Sequence, residues 1–401
     1  MSDRLLSDWI ESWKAFREAI GEAPFIYNEW VAVSIIAAVM QRKTWLPWEK
    51  RIYPNFYIAL IGPAGVRKGE AMGPGNRMLR QLGIIISAEA TTREALIRHL
   101  KLIGKDKSGP GFIDEDGIYK QYSALTVYSE EFTTFTRYDN RDLMADLANW
   151  WDCPDVWTYD TKTGGKDEIS GVFFNLIGGT TPDLFRRSLP EDLVGGGLLS
   201  RIICVFQSVP GQIVIFPTEG DVKLWDALYS DLLEISKITG PFSYNVDFQA
   251  LYQEWYPKQH EQVRVNSDKL AAYVARRSTH LRKLCMIMNA SRCGDRIING
   301  EDFTRALDLL ERTEKTMDKT FEGMGANPLA IIAHRILNEI AMRGSILQSA
   351  IMKKYQDDLN IEDLNKIILT LISSKQIKKE ALYDEHKNIL TTDCLLTFRK
   401  E

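Results

Sequence analysis

Phe56-Tyr57-Ile58-Ala59-Leu60-Ile61 runs directly into Gly62-Pro63-Ala64-Gly65-Val66-Arg67-Lys68-Gly69. A short, nearly continuous apolar run that ends in glycines and leads to a helix-like segment predicts a buried parallel strand, a loop and a helix. Runs of the same kind recur at Gly83–Ser87, Ala124–Tyr128, Val172–Ile177 and Arg201–Phe206, with helical patterns between them. Strands alternating with helices predict an α/β domain with a largely parallel sheet.

On the N-terminal side, residues 3–20 carry Leu5, Leu6, Trp9, Ile10, Trp13, Phe16 and Ile20 at helical spacing. A second helix is expected from about Asn28 to Arg42, with Asn28 as N-cap. The tryptophans read as core packing, so residues 1–48 form a helical cover on a core over 49–216. After about Pro217 the strands stop. Lys223–Ile238, Phe248–Val263, Asp268–Ser291 and Glu301–Phe321 have helical periodicity, giving a helical section over 217–325. The stretch from Gly323 to Pro328 is a linker by composition. Residues 328–401 hold three helical patterns, then strands at Gln376–Leu382 and Ile389–Phe398 around a polar turn at 384–388. That is the winged-helix order, a helix-turn-helix variant.

The 401 residues are 45% hydrophobic and 26% charged, which excludes a disordered chain and a small disulfide scaffold. The net charge of -4 excludes a wholly basic nucleic-acid coat but leaves room for a local basic channel. Five cysteines with no CxxC pair point to a reducing compartment and away from a zinc ribbon. The opening MSDRLLSDWIESW has acids and tryptophans where a signal peptide needs a basic and then an apolar stretch. The longest apolar run, Trp30–Met40, is shorter than the ~20 residues a bilayer requires. A soluble, cytoplasmic protein with no membrane partner is expected.

Gly62–Gly69 follows the P-loop pattern GxxxxGK[ST], in which backbone amides and a helix N-terminus wrap phosphates and the lysine reaches them. Gly62 and Lys68 match. Arg67 replaces the second glycine, and Gly69 replaces the hydroxyl residue that would bind Mg²⁺. With no hydroxyl at 69, Mg²⁺ falls to water or to an acid such as Glu70. The plain alternative is a strand-to-helix turn. Two carboxylates, Glu130 and Glu131, end the strand ALTVYS. In a nucleotide hydrolase the first holds Mg²⁺ and the second polarises the attacking water. Otherwise they are a solvated strand end. Thr180 or Thr181, at the strand end in NLIGGTTP, is a candidate sensor of the γ-phosphate or the water; taken alone the segment is a Thr-Pro turn. Arg201 follows the glycines 195–197 and is a candidate arginine finger, with Arg186 and Arg187 as competitors. It could equally be a structural arginine paired with an acid.

The order GPAGVRKG, VYSEE, GGTTPD, GGGLLSR resembles a family of phage and mobile-element ATPases, many of them described only as a domain of unknown function. The segments YPNFYIALIGPAG, ATTREALIRHL and WWDCPDVWTYDTKTGG look similar to phage members. The resemblance covers roughly residues 25–290. It implies a RecA-like P-loop ATPase core with helical N-terminal and C-terminal additions, here followed by the winged helix. It also implies ATP and Mg²⁺, a ring, usually a hexamer, and single-stranded or forked DNA as partner. Some members are fused to primase domains, so a primase or another replication protein is a further expected partner. Typical members end the P-loop in Lys-Ser or Lys-Thr.

In residues 149–165, rich in aromatics, Tyr159 and Lys162, with Lys166 just beyond, are the DNA candidates, because aromatic faces stack on bases and lysines neutralise phosphates. Trp150 and Trp151 read as packing. On the helix Asp268–Ser291, Arg276, His280 and Lys283 share a face. The default is a solvated face; the alternatives are a nucleotide lid, a DNA contact or a subunit surface. Charges in 328–401 are close to balanced and the third helix begins with acids, so protein docking stands beside DNA binding. The leading expectation is an ATP-dependent DNA motor. Its first alternative is an ATP-binding assembly factor, such as a helicase loader or recombination accessory protein, with little or no hydrolysis. A second is a DNA-binding regulator led by the winged helix.

Overall fold

The computed structural model describes residues 4–88, 91–106, 108–114, 116–136, 140–161, 165–188, 197–216, 220–262, 271–321, 328–383 and 389–398. They fall into two compact units, 1–321 and 322–401. The N-terminal helices, the α/β segment and the helical section all belong to the first unit.

The first unit is mixed α/β, built on a four-stranded parallel sheet. Its strands are β1 (Tyr57–Ile61), β2 (Ser123–Ser129), β3 (Val172–Thr180) and β4 (Ile202–Phe206), in the order β2-β3-β1-β4. β1, β2 and β3 are buried throughout, as expected for parallel strands covered on both faces. The expected strand over 83–87 is reduced to one parallel bridge, Ile86 to Thr126. Ile84, Ile85 and Ile86 are only half-buried, so little holds a longer strand on that edge.

Helix α1 runs Trp9–Ile20, shorter than the apolar spacing from residue 3. Asp8 caps it by accepting from the Glu11 amide at 3.0 Å. The amides of Leu5 and Leu6 donate instead to the Asp231 carboxylate, at 2.6 and 3.0 Å, which fixes residues 5 and 6 outside the helix. Helix α2 runs Phe25–Met40, with Pro24 at the N-cap. Asn28 is therefore inside the helix and buried, not its cap. Apolar residues surround α2 on all sides, which is why it is a core helix rather than a surface one. It is keyed to the sheet by the Asn175 amide, which donates to Ser34 O and Ser34 Oγ at 3.2 Å each.

Strands do not stop at 217: Gly240–Pro241 pairs with Thr44–Trp45, and Ser243–Tyr244 with Ile297–Ile298. Helices Ala271–Arg292 and Gly300–Met317 are locked by a buried ion pair. Arg277 donates from Nε and Nη2 to Glu314 at 2.6 and 2.9 Å, and the Tyr273 hydroxyl donates to the same carboxylate at 2.9 Å. Satisfying several oxygens and protons at once is what makes a buried pair tolerable.

The second unit has helices Pro328–Arg343, Gln348–Lys354 and Ile361–Ser373 and a three-stranded antiparallel sheet. Ile377–Tyr383 pairs with Ile389–Phe398, and a third strand, Ser345–Leu347, pairs with the other edge of the latter. That third strand is too short to show a period. The polar turn 384–388 lies outside the described residues. The unit has its own core, including Ile340, Ile351, Leu364, Ile368 and Leu396. No helix among the described residues is long and apolar enough to cross a membrane.

Candidate phosphate-binding site

In an open parallel sheet, ligands sit beyond the carboxyl ends of the strands. β1 ends at Ile61, and after a turn helix α3 runs Lys68–Gln81. Glycine is forced at 62 by close approach. A Cβ there would lie 2.3 Å from Gln207 O and 2.9 Å from the Tyr27 hydroxyl. Both neighbours are fixed, because Gln207 N and Tyr27 Oη each donate to Ile61 O, at 2.9 and 2.7 Å. Pro63, Ala64 and Gly65 form the exposed crown of the loop, Gly65 with φ +87°, and Val66 is buried beneath it.

Arg67 is the N-cap of α3 with φ +63° and ψ 31°, the left-handed region. That conformation explains why glycine belongs at this point of the P-loop pattern; a side chain costs ~1–2 kcal/mol there. The arginine is held by a close ion pair with Glu22 and a looser one, 3.9 Å, with Glu70. Hydrogen bonding from the Val214 amide, together with Arg67, holds the Glu22 carboxyl below its ordinary range. Glu70, a candidate for Mg²⁺ in the sequence, is engaged with the N-terminal helices. It accepts from the Glu22 amide at 2.6 Å and lies 3.6 Å from Arg17.

Lys68 folds back over the turn and donates from Nζ to Gly62 O and Pro63 O at 2.8 and 3.0 Å. Burial lowers its pKa, and the charge of Glu131 opposes that shift. Gly69 faces Glu130: a Cβ there would lie 3.5 Å from Glu130 Cδ and Oε2. Gly179 of β3 approaches both, its Cβ position being 3.3 Å from Lys68 Cβ and 2.9 Å from Glu130 O. The ends of β1, β2 and β3 therefore converge on one place. Glu130 is exposed, and Glu131 is half-buried and accepts from Thr133 Oγ1 at 2.9 Å. Thr180 is buried at the end of β3, and Thr181 Oγ1 accepts from the Leu184 amide at 3.3 Å, opening the helix Pro182–Ser188. A hydroxyl that accepts there still has its proton to donate.

Arg201 is not brought to this site. It lies in a single turn before β4, at the amino end of the sheet. β4 spans five residues, so the two ends are about 16 Å apart at ~3.3 Å per residue. Its guanidinium donates to Asp152 at 2.9 Å and to Gly197 O, and lies 5.6 Å from the Trp151 ring. It is 8% exposed and paired with an acid, the arrangement weighed in the sequence against a displayed finger. Arg186 and Arg187, on the helix after Thr181, are at the carboxyl end of the sheet, and Arg186 pairs with Asp183.

Tyr159 and Lys166 lie on an antiparallel hairpin, Val156–Thr161 with Gly165–Ser170. The Tyr159 ring is stacked on Trp157 at 6.1 Å and has the Arg93 guanidinium over it at 4.5 Å. Lys166 is exposed, opposite Asp160. Lys162 lies outside the described residues. Trp150 and Trp151 are buried.

The basic face of helix Ala271–Arg292 is not the solvated face expected by default. His280 and Lys283 are buried against the amino end of the sheet. Lys283 Nζ donates to Asn55 Oδ1 and O at 2.6 and 3.1 Å and lies 3.8 Å from the Trp151 ring centre. Among the described residues no group of three or more His, Cys, Asp or Glu side chains forms a metal cage. Compared with known proteins, the chain matches no protein-family model and no curated protein.

Proposed function

We propose that the chain is an ATP-dependent DNA motor of the ring-forming replicative helicase type, acting on single-stranded or forked DNA. Its core is read as RecA-like, its second unit as a winged helix, and its working form as a homo-oligomer, a hexamer by family analogy. The observation that carries this reading is the convergence of Gly62–Gly69, Glu130–Glu131 and Thr180–Thr181 at the carboxyl edge of one parallel sheet.

The amides of the loop and the first turn of α3 are the phosphate cradle. Lys68 exchanges the carbonyls of Gly62 and Pro63 for β- and γ-phosphate oxygens. Mg²⁺ keeps most of its waters and needs only one or two carboxylates besides the phosphates. Glu130, exposed beside the bare Gly69 backbone, fits that need and would hold the ion, which neutralises phosphate charge. Glu131 accepts the proton of the attacking water, and Thr181 donates to the γ-phosphate or to that water.

A second reading has its own support. Gly69 carries no hydroxyl, and Lys68 is already satisfied by the loop; both fit an assembly factor that holds ATP and turns it over little. ATP turnover with and without single-stranded DNA separates the two. On the motor reading, DNA stimulates turnover, Lys68→Ala and Glu131→Gln each lose most of it, and Gly69→Ser keeps it. Binding without turnover, abolished by Lys68→Ala, selects the assembly factor. Absence of both refutes the phosphate site.

A further inference from the structure

At the amino end of the same sheet lies an open cleft of about 440 Å³. Its wall contains Lys50, Arg51, Arg276, Arg282 and Lys283 against two carboxylates, Glu49 and Asp152, with Trp48, Tyr53 and Trp151 between them. Asp152 is already occupied by Arg201 at 2.9 Å and Arg276 at 3.8 Å. The cations are therefore in excess, although the whole chain is acidic.

Two of them are placed at a cost that packing alone does not explain. Arg282 is 6% exposed, and its Nη1 has no hydrogen-bond partner among the described residues. Its remaining donors go only to neutral oxygens of its own helix, Ser278 O, Ser278 Oγ and Thr279 Oγ1, at 3.0 to 3.4 Å. Lys283 is 2% exposed and, among the described residues, has neutral oxygens and not a carboxylate within hydrogen-bond reach. Buried donors on charged groups are normally paired, and a guanidinium left short of acceptors matches an incoming anion with several oxygens. Trp48 stands at the mouth, 39% exposed, with the Arg282 guanidinium 4.3 Å from its ring centre. An aromatic face beside clustered cations is the pairing that binds a base and its phosphate together.

We propose that this cleft is a second site, separate from Gly62–Gly69, that takes one nucleotide unit. Its phosphate lies among Arg51, Arg276 and Arg282, and its base stacks on Trp48. The unit comes either from a single strand or from a free nucleotide, and the two are told apart by measurement.

The test uses the full chain, with Lys68→Ala present to remove the loop site. Binding of a labelled oligothymidylate is followed by anisotropy, and binding of ATP by calorimetry. Arg51→Ala/Arg276→Ala and Trp48→Leu are the variants; Arg51 and Trp48 are exposed and Arg276 is a third exposed, so folding is retained. A fall of about tenfold or more in oligothymidylate affinity, with a salt slope reduced by about 0.7 per lost phosphate contact, assigns the site to a strand. Loss of ATP binding alone assigns it to a free nucleotide. If both ligands bind the variants as they bind the parent, or if neither binds once Lys68 is replaced, the proposal is overturned.

Discussion

Gly62→Ala tests the geometry of the loop more directly than any change to its charged residues. The added methyl would sit 2.3 Å from Gln207 O, where an ordinary contact needs more than 3 Å. The obstacle is backbone, anchored by the 2.9 Å bond from Gln207 N to Ile61 O, so it has no side-chain rotation with which to yield. Tyr27 Oη, 2.9 Å from the same point, would also be displaced from Ile61 O. Overpacking costs ~1–3 kcal/mol and each weakened hydrogen bond ~1 kcal/mol. The expected destabilisation is therefore about 3–5 kcal/mol. For a unit this large, at about 2 °C per kcal/mol, the melting temperature falls by about 6–10 °C.

Gly69→Ala is the matched control. Its methyl meets Glu130 at 3.5 Å, an ordinary contact, and it replaces glycine in the first turn of α3. Alanine is favoured over glycine by up to ~1 kcal/mol in a helix, so this variant melts at or slightly above the parent temperature. Thermal unfolding followed by circular dichroism reads both. Equal melting temperatures for the two variants would refute the argument that the chain leaving β4 dictates the first glycine.

Two further outcomes follow from the amino end of the sheet. Arg201→Ala removes a contact to the half-exposed Asp152 and packing on Trp151, a loss of about 1–2 kcal/mol in urea unfolding; ATP turnover per folded molecule changes by no more than a few-fold, whereas loss of a catalytic arginine finger costs ~10³ or more. Burial pushes His280 down to about 3 from 6.5, so between those values the unfolded chain binds a proton that the native one does not. Stability from this group is intact above about pH 6.5 and is lost as the pH falls toward 3. Comparing pH 7 with pH 4.5, the parent loses about 3 kcal/mol more than His280→Gln in urea unfolding; identical losses would remove His280 as the cause.

What was legible in the sequence was whatever a short window decides. The step from FYIALI through Gly62 to Lys68 announces strand, turn and helix because each residue's preference acts on its own backbone. VYSEE ends its strand at the same edge for the same reason. Asn28 misled because a good capping residue yields to a proline four positions earlier that starts the helix sooner. The helix face bearing Arg276, His280 and Lys283 was legible as a face, since helical periodicity sets it. Its burial was not, because the groups that cover it, Asn55, Trp151 and Ser200, come from three distant segments. Arg201 shows the same limit from the other side. A glycine loop ending in arginine leaves a displayed finger and an acid-paired structural arginine equal until the partner is seen, and Asp152 lies 49 residues away.

The same contrast bears on Gly69. Within the motif it looks like a lost magnesium ligand, a defect. In the fold it faces a carboxylate from a different strand, and that carboxylate, Glu130, is exposed while Glu70 is engaged elsewhere. A Cβ at 69 would stand in ordinary contact with Glu130, so a serine fits without displacing it. The hydroxyl missing from the motif is thus faced, at the same point in space, by a carboxylate from a distant segment. On the motor reading Gly69→Ser therefore keeps turnover while Glu131→Gln loses most of it, and a parent that binds ATP without turning it over selects the assembly factor instead.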